Sequence, residues 1–165
     1  MKRIIIHWSA GTYKPNQTDL LHYHFIIDDT GNIFNGVYSV QDNENCLDGI
    51  YAAHTGGGNT GSIGVAFAAM FGYVSPLQVG RFPITPKQFE AGCKKIAELC
   101  KQYKIPITPD TVLTHYEFGL KHPKSTSAGK IDITYLPHQS KLNKNQIGDF
   151  IRNKVNWYFS KLPLI

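Results

Sequence analysis

The chain has 165 residues, enough for one domain with a real hydrophobic core. Hydrophobic residues make up 42% and charged residues 18%, the balance of a soluble globular protein, and no stretch approaches the length of a membrane span. A formal net charge of +5 suits an anionic polymer, nucleic acid or bacterial cell wall, but the lysines are scattered without a long basic run, which argues against nucleic acid.

Residues 3–8, "RIIIHW", read as a strand with Arg3, Ile5 and His7 on one side and Ile4, Ile6 and Trp8 on the other. The short apolar run, interrupted by His7, does not read as a signal sequence. "GTYKPNQTD" is a loop by composition. "LHYHFIID" reads as a second strand, turned by "DDTGN" into a hairpin partner, "IFNGVYSV". The glycines of "HTGGGNTG" predict a loop, and "SIGVAFAAM" a central apolar strand.

"TPKQFEAGCKKIAELCKQYKI" is the clearest helix. Thr85 is its N-cap, Pro86 its first position, and Gln88 completes a capping box. Phe89, Cys93, Ile96, Leu99, Cys100 and Tyr103 form the apolar stripe. "TVLTH" reads as a short strand ending on His115, and "GLKHPKSTSAGKIDIT" as a long polar loop. "NKNQIGDFIRNKVNWYFSKL" is a second amphipathic helix with Ile147, Phe150, Ile151, Val155, Tyr158 and Leu162 inward. This order predicts an α/β domain spanning 1–165, a central mixed sheet flanked by helices in one layered unit. The cysteine count is odd, at three, with no zinc-type pair motif, which fits a reduced compartment.

Two predicted strands end in histidine, His7 and His115, and strand ends along one sheet edge are where clefts form. Asp132 follows in "AGKIDITYLP". Two imidazoles and a carboxylate, with a fourth position open, make a catalytic zinc set if the fold brings them together. Taken alone, His7 reads more simply as a satisfied core histidine.

The ordered set His7, "YHFIID", "HTGGGNTGSIGV", "THYEF" and "KIDI" resembles the zinc-dependent N-acetylmuramoyl-L-alanine amidases, the family of small phage amidase endolysins and peptidoglycan recognition proteins. The resemblance implies one zinc ion per chain, held by His7, His115 and Asp132. The phage type commonly has a cysteine at the third position; zinc accepts aspartate equally. It implies Tyr23 and Lys130 as catalytic side chains, and His54 and Asn59 as substrate-binding residues in a loop lining a peptide groove. The implied reaction hydrolyses the amide between N-acetylmuramic acid and L-alanine in peptidoglycan. Zinc would activate the water, Lys130 stabilise the oxyanion, and Tyr23 position the water or assist the leaving amine.

A flexible connector is an equal reading of the His54–Asn59 loop. His24 is expected to pack, His22 to lie near the surface, and Glu117 either to orient a ligand or to be exposed; His122 and His138 receive no role. The span from His7 to Tyr23 is short, and the loop 119–129 is long enough to form part of a substrate wall. The implied biology is a phage or prophage lysin, monomeric, made in the cytoplasm without a signal peptide and acting on the wall after release. The alternatives are a non-catalytic peptidoglycan-binding module and a cytoplasmic amidase that recycles muropeptides.

Overall fold

The computed structural model describes residues 1–164. Its elements are β1 (Arg3–Trp8), α1 (Gln17–His22), β2 (Phe25–Ile27), β3 (Ile33–Asn35), β4 (Ser62–Phe67), α2 (Pro86–Tyr103), β5 (Val112–Thr114), α3 (His115–Lys121) and α4 (Ile147–Lys161), with short 3-10 turns between. The five strands form one mixed sheet in the order β3-β2-β4-β1-β5. β1 runs parallel to β4 and β5, β2 parallel to β4, and only β3 is antiparallel, as the second arm of a hairpin. A mixed sheet flanked by helices is the architecture the sequence predicts.

Strand parity in β1 divides the molecule. Ile4, Ile6 and Trp8 join Phe89, Cys93, Ile96, Ile151 and Val155 in the main core, under α2 and α4. Ile5 packs on the opposite face with Leu113 and Phe118. His7 shares that parity and emerges on the same, more thinly covered face. The parallel strands β1 and β5 both run towards the site, so their carboxyl ends open into it.

α2 begins as its sequence dictates, with both bonds of the Thr85–Gln88 capping box made and Pro86 in the first turn. Gln88 is itself buried. Its side-chain amide donates to the carbonyls of Ile27 and Ala68 at 2.8 and 2.9 Å, tying the helix start to the ends of β2 and β4. Gly92 allows the close approach: a Cβ there would lie 2.3 Å from the Phe67 ring. Cys93 and Cys100 are buried free thiols on the inward face, as their spacing predicts.

Several elements differ from the sequence reading. "LHYHFIID" is not one strand: residues 17–22 are the helix α1 and only Phe25–Ile27 pair in the sheet. Asn16 caps Asp19, and Asp19 caps back onto Asn16, a capping box that outweighs the weak β pattern of a short apolar run. His115 does not end a strand. It opens α3, which Thr114 and Glu117 cap in the same reciprocal way. β4 likewise stops at Phe67, short of the apolar run that follows it.

Candidate metal centre

His7 comes from the last turn-free residues of β1, His115 from the first position of α3, and Asp132 from the loop that follows it. The fold brings the three together. Nδ1 of His7 lies 3.1 Å from Nδ1 of His115, and Oδ2 of Asp132 lies 3.2 and 3.4 Å from those two nitrogens. A tetrahedral ion with bonds of about 2.0–2.1 Å sets its ligand atoms about 3.3–3.4 Å apart. The triangle therefore has the edges of one face of such a site, and the three residues can hold a metal ion.

The electrostatics suit a cation. Burial pulls the His7 imidazole down to about 4; contact with Asp132 opposes this and the charge of His115 adds to it. A neutral ring offers a lone pair. Burial alone would raise the Asp132 carboxyl, but contacts with His115 and His7 outweigh it and hold the group well below the usual carboxylate range. The carboxylate is ionised and can ligate.

His115 and Asp132 line a cleft of about 480 Å³ whose lining also includes Tyr23, His54 and Lys130, while His7 is itself fully buried. Tyr23 is the C-cap of α1, and its ring centroid is 5.2 Å from that of His7. Burial, then the charges of Asp132 and Asp19, push its phenol up, so the hydroxyl keeps its proton. Lys130 stands exposed on the loop between α3 and Asp132. Trp8 and Tyr73 form an aromatic wall, with ring centroids 5.0 Å apart.

Other residues fall elsewhere. Asn59 is not in the cleft; its Oδ1 accepts the Thr55 N–H at 2.8 Å and shapes the loop from inside. His54 does line the cleft, but it is buried, with Nδ1 3.2 Å from Nε2 of His7. His24 packs as expected, accepting the Gly64 N–H on Nδ1 and lying 3.0 Å from Asn43. His22 is exposed as expected, but sits on the last turn of a helix at the cleft edge and not on a strand face. Glu117 takes neither expected role: it caps α3 and receives Arg152 at 3.0 and 2.9 Å. Two further groups that touch the ligand imidazoles were not read from the sequence. They are Thr55, 3.3 Å from His7, and Ser127, 3.0 Å from His115. Their hydroxyls carry no spacing signal.

Comparison with known proteins bears on the family and the fold. The profile of the N-acetylmuramoyl-L-alanine amidase family matches residues 1–134. No curated protein sequence matches the chain significantly. Among solved structures, the amidase LysC from Clostridium intestinale URNW is similar at TM-score 0.56 and 16% identity, covering 94% of this chain and 85% of that one. The amidase AmiD from E. coli, solved with anhydro-N-acetylmuramic acid-L-Ala-D-gamma-Glu-L-Lys, is similar at 0.52 and 18%, covering 81% and 52%. Bumblebee peptidoglycan recognition protein SA is similar at 0.52 and 17%, covering 88% and 80%. At these identities the structures speak for the fold, and the profile speaks for the family. With most of its length matched, the chain belongs to the N-acetylmuramoyl-L-alanine amidase family.

Proposed function

We propose that the protein is a zinc-dependent amidase that cuts the bond between N-acetylmuramic acid and L-alanine in peptidoglycan. The observation that carries this reading is the triangle of Nδ1, Nδ1 and Oδ2 atoms with tetrahedral edge lengths beside an open cleft. His7, His115 and Asp132 would hold one zinc ion. When bound, zinc supplies a Lewis acid that polarises the scissile carbonyl and acidifies water.

The chain's own residues do the rest. Lys130 brings a flexible ammonium to the cleft and donates to the carbonyl oxygen as negative charge builds there. Tyr23, with its proton retained, hydrogen-bonds the attacking water and can donate towards the leaving amine. The Trp8–Tyr73 wall offers an apolar surface to a sugar or peptide face.

We place the activity on intact wall, as a lysin, because a net charge of +5 favours an anionic polymer. The deciding experiment is mass spectrometry of digested sacculi. It should show free lactyl carboxylates on the glycan and new L-alanine N-termini. Cleavage at any other bond, or none, would overturn the reading in favour of a different hydrolase or a binding module. Faster turnover of soluble anhydro-muropeptides than of sacculi would assign the protein to fragment recycling.

A further inference from the structure

The loop 52–59, "AAHTGGGN", has the composition of a flexible connector, yet its hydrogen bonds and contacts are those of a clamp. Following the protons shows what it clamps. The Ser62 carbonyl can only accept, so Nε2 of His54, 3.3 Å away, carries a proton. Nδ1 of His54 is then an acceptor and takes the hydroxyl proton of Thr55 at 2.7 Å. Nε2 of His7 faces Thr55 Oγ1 at 3.3 Å; with its proton given to His54, this oxygen can only accept. His7 must donate from Nε2, which leaves Nδ1 bare.

The second ligand is set in the same way. Ser127 Oγ donates to the Gly56 carbonyl at 2.7 Å, so it can only accept from Nε2 of His115 at 3.0 Å. Nδ1 of His115 is bare as well. Two bare nitrogens 3.1 Å apart beside a carboxylate are reconciled by a cation. The two chains of hydrogen bonds run through consecutive residues of the loop, Thr55 and Gly56.

The loop is held from several sides. Buried Asn43 accepts the Ala52 N–H at 2.9 Å and donates to the carbonyls of Ala52 and Asn59 at 2.9 and 3.2 Å, joining both stems. The glycines serve close approach. A Cβ on Gly56 would lie 1.8 Å from Thr126, and one on Gly58 2.4 Å from Phe118. Gly64 on β4 makes room for the His54 ring, 2.6 Å from where its Cβ would be.

We propose that the 52–59 loop is the positioning frame of the metal centre, setting the tautomer and orientation of both histidine ligands through the Thr55 hydroxyl and the Ser127–Gly56 bond. This rests on the metal reading above. The test uses two readouts: long-range ¹⁵N–¹H NMR of the imidazoles in metal-free protein, and zinc affinity by chelator competition. In the wild type both ligands should show the Nε2–H pattern. Thr55→Val should disturb that pattern for His7 and spare His115; Ser127→Ala should do the reverse. Each should weaken zinc binding about 10–100-fold, and Thr55→Ser should restore it. Wild-type affinity and unchanged tautomers in both variants would overturn the proposal. If Thr55→Val fails to fold, Ser127→Ala still decides it, through the His115 tautomer and the zinc affinity. Nε2–H tautomers in a wild type that takes up no zinc would support the frame and sink the zinc reading instead.

Discussion

A metal ligand and a transition-state donor fail differently when removed. His7→Ala and His115→Ala should each lose most of the zinc and nearly all activity while keeping the fold, because an open three-ligand site adds little to folding. Metal analysis of the purified variants checks this, and full zinc retention in both would remove the ligand assignment. Asp132→Cys should keep zinc, since a thiolate ligates as well. Lys130→Ala should keep zinc but lower kcat by about 10²–10³, with KM little changed, as expected for one oxyanion donor. Steady-state kinetics on sacculi would show it; a wild-type rate would return Lys130 to an ordinary loop lysine. His24 sets a pH dependence. Burial holds its imidazole down at about 4, so between that value and the ordinary 6.5 the unfolded chain binds the extra proton. Its contribution is complete above pH about 6.5 and is lost as pH falls towards 4, a loss on the order of 3 kcal/mol. His54, also lowered by burial, acts with the same sign. Urea unfolding of metal-free protein at pH 7 and pH 5 should show the fall; equal midpoints would contradict it.

At the scale of elements, the weight falls on how α4 holds α3. Arg152 points inward from α4, donating to the Val112 carbonyl at 2.9 Å and to both oxygens of Glu117, the residue that caps the helix bearing His115. The pair is largely shielded, with side-chain exposures of 8% and 20%, so Arg152→Met would leave Glu117 an unpaired buried charge. The expected cost is about 3–5 kcal/mol, read from denaturant midpoints. A loss under 1 kcal/mol would mean that water reaches Glu117. Gly92→Ala tests the seat of α2. Helix propensity favours alanine by about 1 kcal/mol. The added methyl would meet the Phe67 ring at 2.3 Å, and overpacking of about 1–3 kcal/mol should win.

Across the whole molecule, the three thiols report on integrity. Cys93 and Cys100 lie in the main core, where burial raises both groups, Cys100 to about 12, while Cys46 is half-buried on a short 3-10 turn. One equivalent of thiol reagent should react in the native state and three after denaturation. Rapid labelling of all three without denaturant would mean that the α2–α4 layer opens easily. Among the described residues no helix is long and apolar enough to cross a membrane.

Periodicity and capping by themselves determined the long elements. The α2 stripe, its Thr85–Gln88 box and the inward face of α4 follow from local rules that neighbours do not override. The parity of β1 was likewise local, and with it the placing of His7 on the side of Ile5. The two short helices were written in the same code, as Asn16–Asp19 and Thr114–Glu117 boxes, but short apolar runs nearby read equally well as strands. Ordered motifs named His7, His115 and Asp132; only the tertiary structure placed their donor atoms 3.1–3.4 Å apart, because that distance depends on β1, α3 and a loop 125 residues from His7 meeting at one edge. The role of the glycine-rich loop was hidden for the same reason. Composition records backbone freedom, whereas Thr55, Ser127 and the Gly56 carbonyl act through partners that only the folded chain brings within hydrogen-bond reach.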